Sequence, residues 1–133
     1  MGELITFITV DNCLEAIEVY KEVFGAELQG DITMLEDVTG MEKHKGKVGH
    51  STLKIGSNRV FINDALDDQP LIKGDRIQLV LDLETEDNLR TAFDKLKIDG
   101  NVVQELEEVF WGALLGTVKD KFGVTWQLYF GHK

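Results

Sequence analysis

Histidine is the side chain in this sequence best suited to acid–base chemistry, because imidazole changes protonation near neutral pH. His50 lies beside Gly49 inside a run rich in β-branched residues, so it is predicted to sit on a strand. There it would act as a hydrogen-bond donor or a general base. The alternative is a histidine whose nitrogens are satisfied by neighbours in the sheet. His44, between two lysines, and His132, next to last in the chain, are predicted to face solvent.

The single cysteine and the two tryptophans offer other chemistry. Cys13 lies at the predicted start of a helix, where the helix dipole would stabilise a thiolate. It also falls on the apolar stripe of that helix, which favours an inert core residue. Trp111 precedes Gly112 after a strand-like run and is a candidate for contact with a ligand, with packing or a dimer interface as alternatives. One cysteine excludes an intrachain disulfide and fits a reducing cytoplasm.

Composition excludes several classes of function. The 133 residues carry 24 Asp and Glu against 14 Lys and Arg, a formal net charge of −10. Such a surface repels phosphate backbones and anionic lipids, so neither nucleic acid nor membrane is expected as a partner. No run approaches the roughly 18 apolar residues of a membrane span, and no signal-peptide pattern opens the sequence, so a cytoplasmic location is expected. Phosphate-binding glycine loops, nucleophile elbows, zinc-protease motifs and EF-hand loops are absent from the sequence.

The first half of the chain predicts the elements that would position these residues. Residues 4–10 are β-branched and aromatic, as is typical of a strand. From Cys13 the apolar positions recur with helical spacing, Asn12 can cap this helix, and Gly25 can end it. The remaining segments are predicted to be a weaker strand over 26–38, a solvated loop over 39–47, strands over 48–55 and 59–63, and a tight turn at 56–58.

The second half repeats this order of signals after a proline-containing break at 67–70. Thr85 can cap a second helix, which is predicted to end at Gly100. The apolar residues of the two helices align with one another. The predicted strands of this half cover residues 77–83, 102–109, 114–118 and 124–130.

The chain is therefore predicted to be one α+β domain, residues 1–133, made of two βαβββ units at 1–66 and 74–133. A unit of that size has a marginal core when alone, so each is expected to need the other. We expect the strands to form a curved, mixed, mostly antiparallel sheet with the helices on its outer face. Its concave inner face would then be the place for a ligand.

Three segments carry a more specific pattern: residues 16–25, residues 48–56, and residues 110–112 followed by 119–128, which contain Asp120-x-Phe122-Gly123-x-x-Trp126. They resemble the PhnB-like branch of the glyoxalase/bleomycin resistance protein/extradiol dioxygenase superfamily, also called vicinal oxygen chelate. The resemblance covers nearly the whole chain and implies the glyoxalase/bleomycin resistance-like fold. Members of the superfamily are usually dimers or fused tandem domains, so a homodimer is expected here.

Metal-dependent members of this superfamily hold a divalent ion with one His, Gln or Glu from each of four strands. The resemblance places the first of these positions at residues 4–6, which offer no such side chain. It places the second around Gln78 and the last at Gln127, while the nearest candidate on the remaining strand is Asp64. Neutral amide oxygens bind first-row ions weakly, so no cofactor is expected, with a divalent metal as the alternative.

The resemblance implies a protein that holds a small organic ligand in its β-cup without a tightly bound catalytic metal. The candidate ligand-binding residues are His50, Gln78, Trp111 and Gln127, and His50 is also the candidate for catalysis. Because side chains alternate along a strand, an inward Gln127 places Trp126 in the core. The alternative function is a metal-dependent lyase, transferase or dioxygenase of the vicinal oxygen chelate type, which the missing ligands disfavour. The sequence leaves the choice between an enzyme and a binding protein open.

Overall fold

The computed structural model describes residues 2–110 and 112–131, so Trp111 and His132 lie outside the described residues. Two compact units divide the chain, Met1–Ile72 and Lys73–Lys133. Each has the element order βαβββ, which confirms the predicted α+β fold, and hydrogen bonding gives each unit its own four-stranded mixed sheet. Within the described residues, no helix is long and apolar enough to cross a membrane.

The first unit contains five main elements and two short 3-10 turns. They are β1 (Thr6–Val10), α1 (Cys13–Phe24), β2 (Glu27–Met34), the turns at Leu35–Asp37 and Glu42–His44, β3 (Val48–Ile55) and β4 (Asn58–Asp64). The strand order is β1-β4-β3-β2, with β1 parallel to β4 and the other pairs antiparallel.

Helix α1 begins and ends at the residues expected from the sequence. The side chain of Asn12 accepts a hydrogen bond from the backbone N–H of Glu15, at 3.2 Å. Gly25 follows the helix with a φ of 66°, a left-handed conformation that costs glycine little. The apolar stripe, including Ile17 and Tyr20, is buried. Burial of this stripe holds the helix on one face of the sheet.

The second unit repeats the plan of the first. Its elements are β5 (Leu79–Asp82), α2 (Glu86–Leu96), β6 (Asn101–Val109), β7 (Ala113–Lys119) and β8 (Thr125–Gly131). The strand order is β5-β8-β7-β6, with β5 parallel to β8 and the other pairs antiparallel. Thr85 caps α2 as predicted, because its hydroxyl accepts a hydrogen bond from the N–H of Asn88.

The predicted end of this helix at Gly100 was wrong. Helix α2 ends at Leu96, and the left-handed conformation after it belongs to Asp99, with a φ of 59°. Gly100 has a different role, because a Cβ there would lie 2.5 Å from the carbonyl oxygen of Lys119. Glycine is required at this position for the close approach of two backbone segments, and helix termination does not depend on it.

Each sheet has one face against its own helix and one face turned away from it, here called the helix-free face. In the first unit, the Cys13 sulfur of α1 lies 3.9 Å from the hydroxyl of Ser51 on β3. In the second unit, a Cβ at Gly116 on β7 would lie 2.7 Å from the ring of Phe93 on α2. Side chains alternate along strands, so the neighbours of Ser51 and Gly116 point to the helix-free faces.

Candidate functional site

Strand register in the second unit aligns four side chains in one row across the helix-free face. Gln127 on β8 is paired with Val80 on β5 and with Thr117 on β7, and Thr117 is paired with Gln104 on β6. Thr117 is buried, Gln127 is half-buried, and Val80 is 60% exposed. The row therefore combines amide, hydroxyl and apolar groups, a mixture typical of sites for small organic molecules.

Two of the predicted site residues, Gln78 and Gln127, meet in this unit. Gln127 Nε2 donates a hydrogen bond to Gln78 Oε1 at 2.7 Å, and Gln78 Nε2 donates to the carbonyl of Asp75 at 3.2 Å. This chain of hydrogen bonds fixes the orientation of both amides. It leaves Gln127 Oε1 as an acceptor that receives no hydrogen bond from the residues that the structure describes.

The helix-free face of the first unit carries the equivalent row with different chemistry. Phe61 on β4 is paired with Phe7 on β1 and with Thr52 on β3, and Thr52 is paired with Gln29 on β2. The two phenyl rings meet edge to face at 6.3 Å between centroids, and Phe7 remains 55% exposed. This row is an aromatic surface with a polar end.

His50 lies on the same face of the first unit, beside this row. Its ring meets the ring of Phe61 edge to face at 4.7 Å, and its Nε2 lies 3.3 Å from the hydroxyl of Thr52. The histidine is half-buried and belongs to a different unit from Gln78 and Gln127. The described geometry thus joins the two glutamines to one another and places His50 with aromatic neighbours.

Asp64, the predicted candidate on the remaining strand, is a structural residue. It is buried, and its two carboxylate oxygens accept hydrogen bonds of 2.7 Å from the backbone N–H groups of Cys13 and Val48. One carboxylate therefore joins the end of β4 to the first residues of α1 and β3. These two bonds engage both oxygens within the body of the unit.

Cys13 is also part of this buried region. Burial raises the pKa of its thiol to about 11; the hydrogen bond with Ser51 opposes this rise, and the negative charge of Asp64 adds to it. The thiol therefore stays protonated at neutral pH, where a nucleophile would need the thiolate. The structure agrees with the expectation of an inert core residue.

The Asp120-x-Phe122-Gly123-x-x-Trp126 segment builds the turn between β7 and β8. Asp120 Oδ1 accepts the N–H groups of Phe122 and Val124 at 2.9 and 3.0 Å, and its Oδ2 accepts the indole N–H of Trp126 at 3.0 Å. Asp120 and Trp126 are both buried, as expected for a core tryptophan next to Gln127. The most specific motif of the sequence therefore fixes a fold element and does not present a reactive group.

The donor groups at the expected metal positions do not fit a tightly held ion. Gln78 Oε1 already accepts the amide of Gln127, and both oxygens of Asp64 accept backbone N–H groups. Over residues 2–110 and 112–131, no group of three or more His, Cys, Asp or Glu side chains is placed to hold a metal ion. Neutral amides engaged with each other are poor ligands for first-row metals.

Two βαβββ units, each with one helix on one face of a four-stranded mixed sheet, define the class of fold. The model of the Glyoxalase/Bleomycin resistance protein/Dioxygenase superfamily matches residues 4–128, and the chain belongs to this family. Protein YjdN of Escherichia coli (strain K12) is 29% identical over 130 residues, covering 88% of this chain and 86% of that protein.

Solved structures share the fold. The PhnB protein from Bacillus cereus, described as a putative 3-demethylubiquinone-9 3-methyltransferase, is 26% identical with a TM-score of 0.82, covering 98% of this chain and 100% of that one. Protein PA1353 from Pseudomonas aeruginosa is 22% identical with a TM-score of 0.88 over the full length of both chains. The likeness to the PhnB protein supports the PhnB-like resemblance expected from the sequence, and the likeness to PA1353 shows the shared fold.

Sequence reasoning identified the two glutamines but missed the rows that surround them. Thr117 and Val80 flank Gln127 only through strand pairing, and no local pattern marks them. A comparison of the two repeats would have found part of the row, because Gln29 and Thr52 in the first unit have Gln104 and Thr117 as counterparts in the second. Trp111, the fourth predicted ligand residue, lies outside the described residues.

Proposed function

We propose that this protein binds a small, neutral, partly apolar organic molecule on the helix-free faces of its sheets, without a tightly held catalytic metal. The observation that supports this most is the oriented Gln78–Gln127 amide pair. The Gln127 Oε1 acceptor, fixed in this way, selects a ligand that donates an N–H or O–H group. The adjacent Val80 side chain can pack against the apolar part of that ligand. The proposed ligand contacts are His50 on the face of the first unit, Gln78 and Gln127 on the face of the second unit, and Trp111.

Titration with benzamide tests the role of the amide pair, because benzamide combines an aromatic ring with N–H donors. Signals of the Gln127 side-chain amide should shift in nitrogen–proton NMR spectra. Gln127→Leu should weaken benzamide binding by about fivefold, the equivalent of one neutral hydrogen bond. The matched control is Gln29→Leu, a glutamine on the helix-free face of the first unit, which should leave this binding unchanged. Equal losses in both variants, or no shift at millimolar benzamide, would eliminate the assignment.

The aromatic face of the first unit has its own test. His50→Ala removes a ring that contacts Phe61, so binding of aromatic probes such as phenol to this face should weaken. The control is His44→Ala, a histidine in the 3-10 turn between β2 and β3. Phenol binding that is unchanged in His50→Ala would exclude His50 from the ligand contacts.

Elemental analysis tests the absence of a tightly held metal. Protein purified without chelators should contain less than about a tenth of an equivalent of Mn, Fe, Ni or Zn, because amide oxygens give weak affinity for these ions. Near-stoichiometric metal that Gln78→Ala or Gln127→Ala removes would favour the metal-dependent alternative.

We also propose that the chain is a homodimer. Strand β2 in the first unit and β6 in the second lie at sheet edges, and exposed edges favour pairing or coverage by another chain. Light scattering should give twice the chain mass of 15.0 kDa. A monomeric mass at micromolar concentration would refute this part of the proposal.

A further inference from the structure

The hydroxyl of Thr117 on β7 is a polar group that the fold itself leaves without a partner. Thr117 is only 5% exposed, yet its Oγ1 makes no hydrogen bond with any residue that the structure describes. Buried hydroxyl groups normally have a partner. Over residues 2–110 and 112–131, every fully enclosed side-chain nitrogen or oxygen has one, so the Thr117 oxygen belongs to the small part of the residue that stays accessible. A ligand can therefore reach it.

Strand pairing places this hydroxyl beside the Gln127 amide. Thr117 is paired with Gln127 across the antiparallel strands β7 and β8. Both side chains lie on the helix-free face, because a Cβ at the intervening Gly116 would lie against the ring of Phe93 on α2. Side chains directly opposite each other on neighbouring strands have Cβ atoms about 4.5–5.5 Å apart. The two polar groups can therefore contact one and the same bound molecule.

The two groups have complementary hydrogen-bonding capacity. Gln127 Nε2 is engaged with Gln78 Oε1 at 2.7 Å, which leaves Gln127 Oε1 as an acceptor. The Thr117 hydroxyl can donate its proton to an acceptor on a ligand. A ligand that satisfies both groups needs a donor and an acceptor side by side on one edge.

The surroundings of this pair favour a neutral ligand with an apolar body. Two ionised residues border the row, and their charges are of opposite sign: Glu107, which accepts the amide of Gln104 at 2.7 Å, and Lys119, two residues after Thr117. Leu115, two residues before Thr117, adds buried apolar surface to the same face. A carboxylate has no proton to donate to Gln127 Oε1, so its oxygens would be repelled there. The row itself has no ionised side chain, since it consists of Val80, Gln127, Thr117 and Gln104.

We propose that Gln127 and Thr117 together bind the amide edge of a lactam or imide, a ring in which N–H and C=O lie side by side. The ligand N–H donates to Gln127 Oε1, and the Thr117 hydroxyl donates to the ligand carbonyl oxygen. A ring locks both groups on the same edge, whereas an open-chain secondary amide in its preferred trans form presents them on opposite edges. This inference rests on the proposed function and names the ligand class of that same site.

Titration of the full chain with 2-piperidone, followed by nitrogen–proton NMR, tests the ligand class. The backbone signals of Thr117 and Gln127 should shift with a saturable profile. N-methyl-2-piperidone lacks the N–H group, and N-ethylpropanamide is an open-chain amide of similar size. Each should bind about fivefold more weakly than 2-piperidone, the equivalent of one neutral hydrogen bond. Equal affinity for the three compounds would overturn the proposal.

Variants of Thr117 test the role of its hydroxyl. Thr117→Val removes the hydroxyl with little change in volume and should weaken 2-piperidone binding by about fivefold, whereas Thr117→Ser keeps the hydroxyl and should retain binding. The matched control is Thr39→Val, an exposed threonine between β2 and β3, which should bind as the wild type does. Equal weakening in the Val and Ser variants of Thr117, or none in the Val variant, would contradict the proposal.

Urea unfolding separates this binding role from a role in the fold. Because the Thr117 hydroxyl has no hydrogen-bond partner among the described residues, the urea midpoint of Thr117→Val should not fall below that of the wild type. A lower midpoint would show that the hydroxyl stabilises the fold and would overturn its assignment to a ligand.

The lactam assignment and the proposed function can fail separately. If benzamide binding depends on Gln127 while Thr117→Val changes neither benzamide nor 2-piperidone binding, the proposed function stands and the lactam assignment is wrong. If neither compound shifts signals of the second unit, both are wrong. Benzoate should bind more weakly than benzamide, because it has no proton for Gln127 Oε1. Tighter binding of benzoate would indicate an anion site and overturn the lactam assignment.

Discussion

The two units of this protein share one backbone plan but present different chemistry on their helix-free faces. Across each sheet a row begins with glutamine and threonine, Gln29 and Thr52 in the first unit and Gln104 and Thr117 in the second. The rows then diverge. The first continues with two phenylalanines and the second with Gln127 and Val80. The same order of paired strands thus supports an aromatic surface in one unit and an oriented amide in the other.

The two units also differ in how a buried carboxylate stabilises them. Asp64 joins β4 to the beginnings of α1 and β3, so it acts between elements distant in the chain. Asp120 accepts three N–H groups from residues that follow it within one turn and strand. The comparison shows that the same fold tolerates its main buried anion at two unrelated positions, because each location supplies enough N–H donors.

Removal of the two buried carboxylates should have the largest effect on stability. Asp120→Ala leaves three N–H groups without this acceptor and Asp64→Ala leaves two, so the free energy of unfolding should fall by about 4 and 3 kcal/mol. Urea unfolding measures both losses, and hydrogen exchange assigns each to its unit. Asp68→Ala, an exposed aspartate, is the control and should change little. A larger loss of unfolding free energy in Asp64→Ala than in Asp120→Ala would contradict this prediction.

A double-mutant cycle can isolate the indole bond within this prediction. Asp120→Asn can keep the acceptor for the two backbone N–H groups, but it removes an acceptor from Trp126. Trp126→Phe removes that donor, so the double variant should be more stable than the sum of the two single losses predicts, by about 1 kcal/mol. Strict additivity would show that the indole bond contributes nothing.

Alkaline pH should weaken the first unit selectively, through Cys13. Burial raises the pKa of the folded Cys13 thiol from its ordinary value of 9.0 to about 11, so the folded state keeps its proton in a pH range where the unfolded state loses it. The contribution of the buried Cys13 thiol to the free energy of unfolding is therefore fully present below pH 9. It is lost as the pH rises from 9 to 11, which lowers that free energy by about 2 kcal/mol.

Urea unfolding at several pH values checks this prediction. Because lysines and tyrosines titrate in the same range, the comparison is with Cys13→Ala, whose stability should fall less steeply. The residue at the start of α2 is the exposed Glu86, where α1 has the buried Cys13 thiol. Hydrogen exchange in the second unit should therefore not accelerate in the same way as the pH rises. Parallel pH curves for the two proteins would contradict the prediction.

Substitutions of the left-handed residues that follow the two helices should have the smallest effects on stability, with opposite signs. Gly25→Ala places a side chain at a φ of 66° and should destabilise by about 1 kcal/mol. Asp99→Gly relieves a non-glycine residue at 59° and should stabilise by about 0.5 kcal/mol. Thermal unfolding measures both shifts. Gly74→Ala, where no heavy atom lies within 4 Å of the added Cβ, controls for the loss of glycine entropy. Shifts of the same sign in the unfolding temperatures of Gly25→Ala and Asp99→Gly would contradict this prediction.

Most of the fold was predictable because its signals are local. Alternating apolar residues mark β3, helical spacing and Asn12 mark α1, and Thr85 marks the start of α2. The end of α2 was not predictable in this way. A glycine after a helix usually supplies a left-handed conformation, whereas Gly100 serves a contact with Lys119, far along the chain.

The candidate site was predictable only in part. The family resemblance pointed to Gln78 and Gln127, but their hydrogen bond depends on the parallel pairing of β5 with β8. The sequence offered Asp64 as the nearest candidate ligand on its strand, and tertiary structure assigns its oxygens to backbone N–H groups. An aspartate at the end of a strand gives the same sequence pattern whether it binds a metal ion or accepts backbone N–H groups.

By itself the sequence determined the two βαβββ repeats, the helix starts, the turn residues and the acidic surface, because each depends on spacing over a few residues or on composition. Only the tertiary structure decided which side chains share a row and which carboxylates are buried. Those properties depend on hydrogen-bond register between strands that are distant in the chain. A shift of one residue in that register would turn every side chain of a strand to the other face.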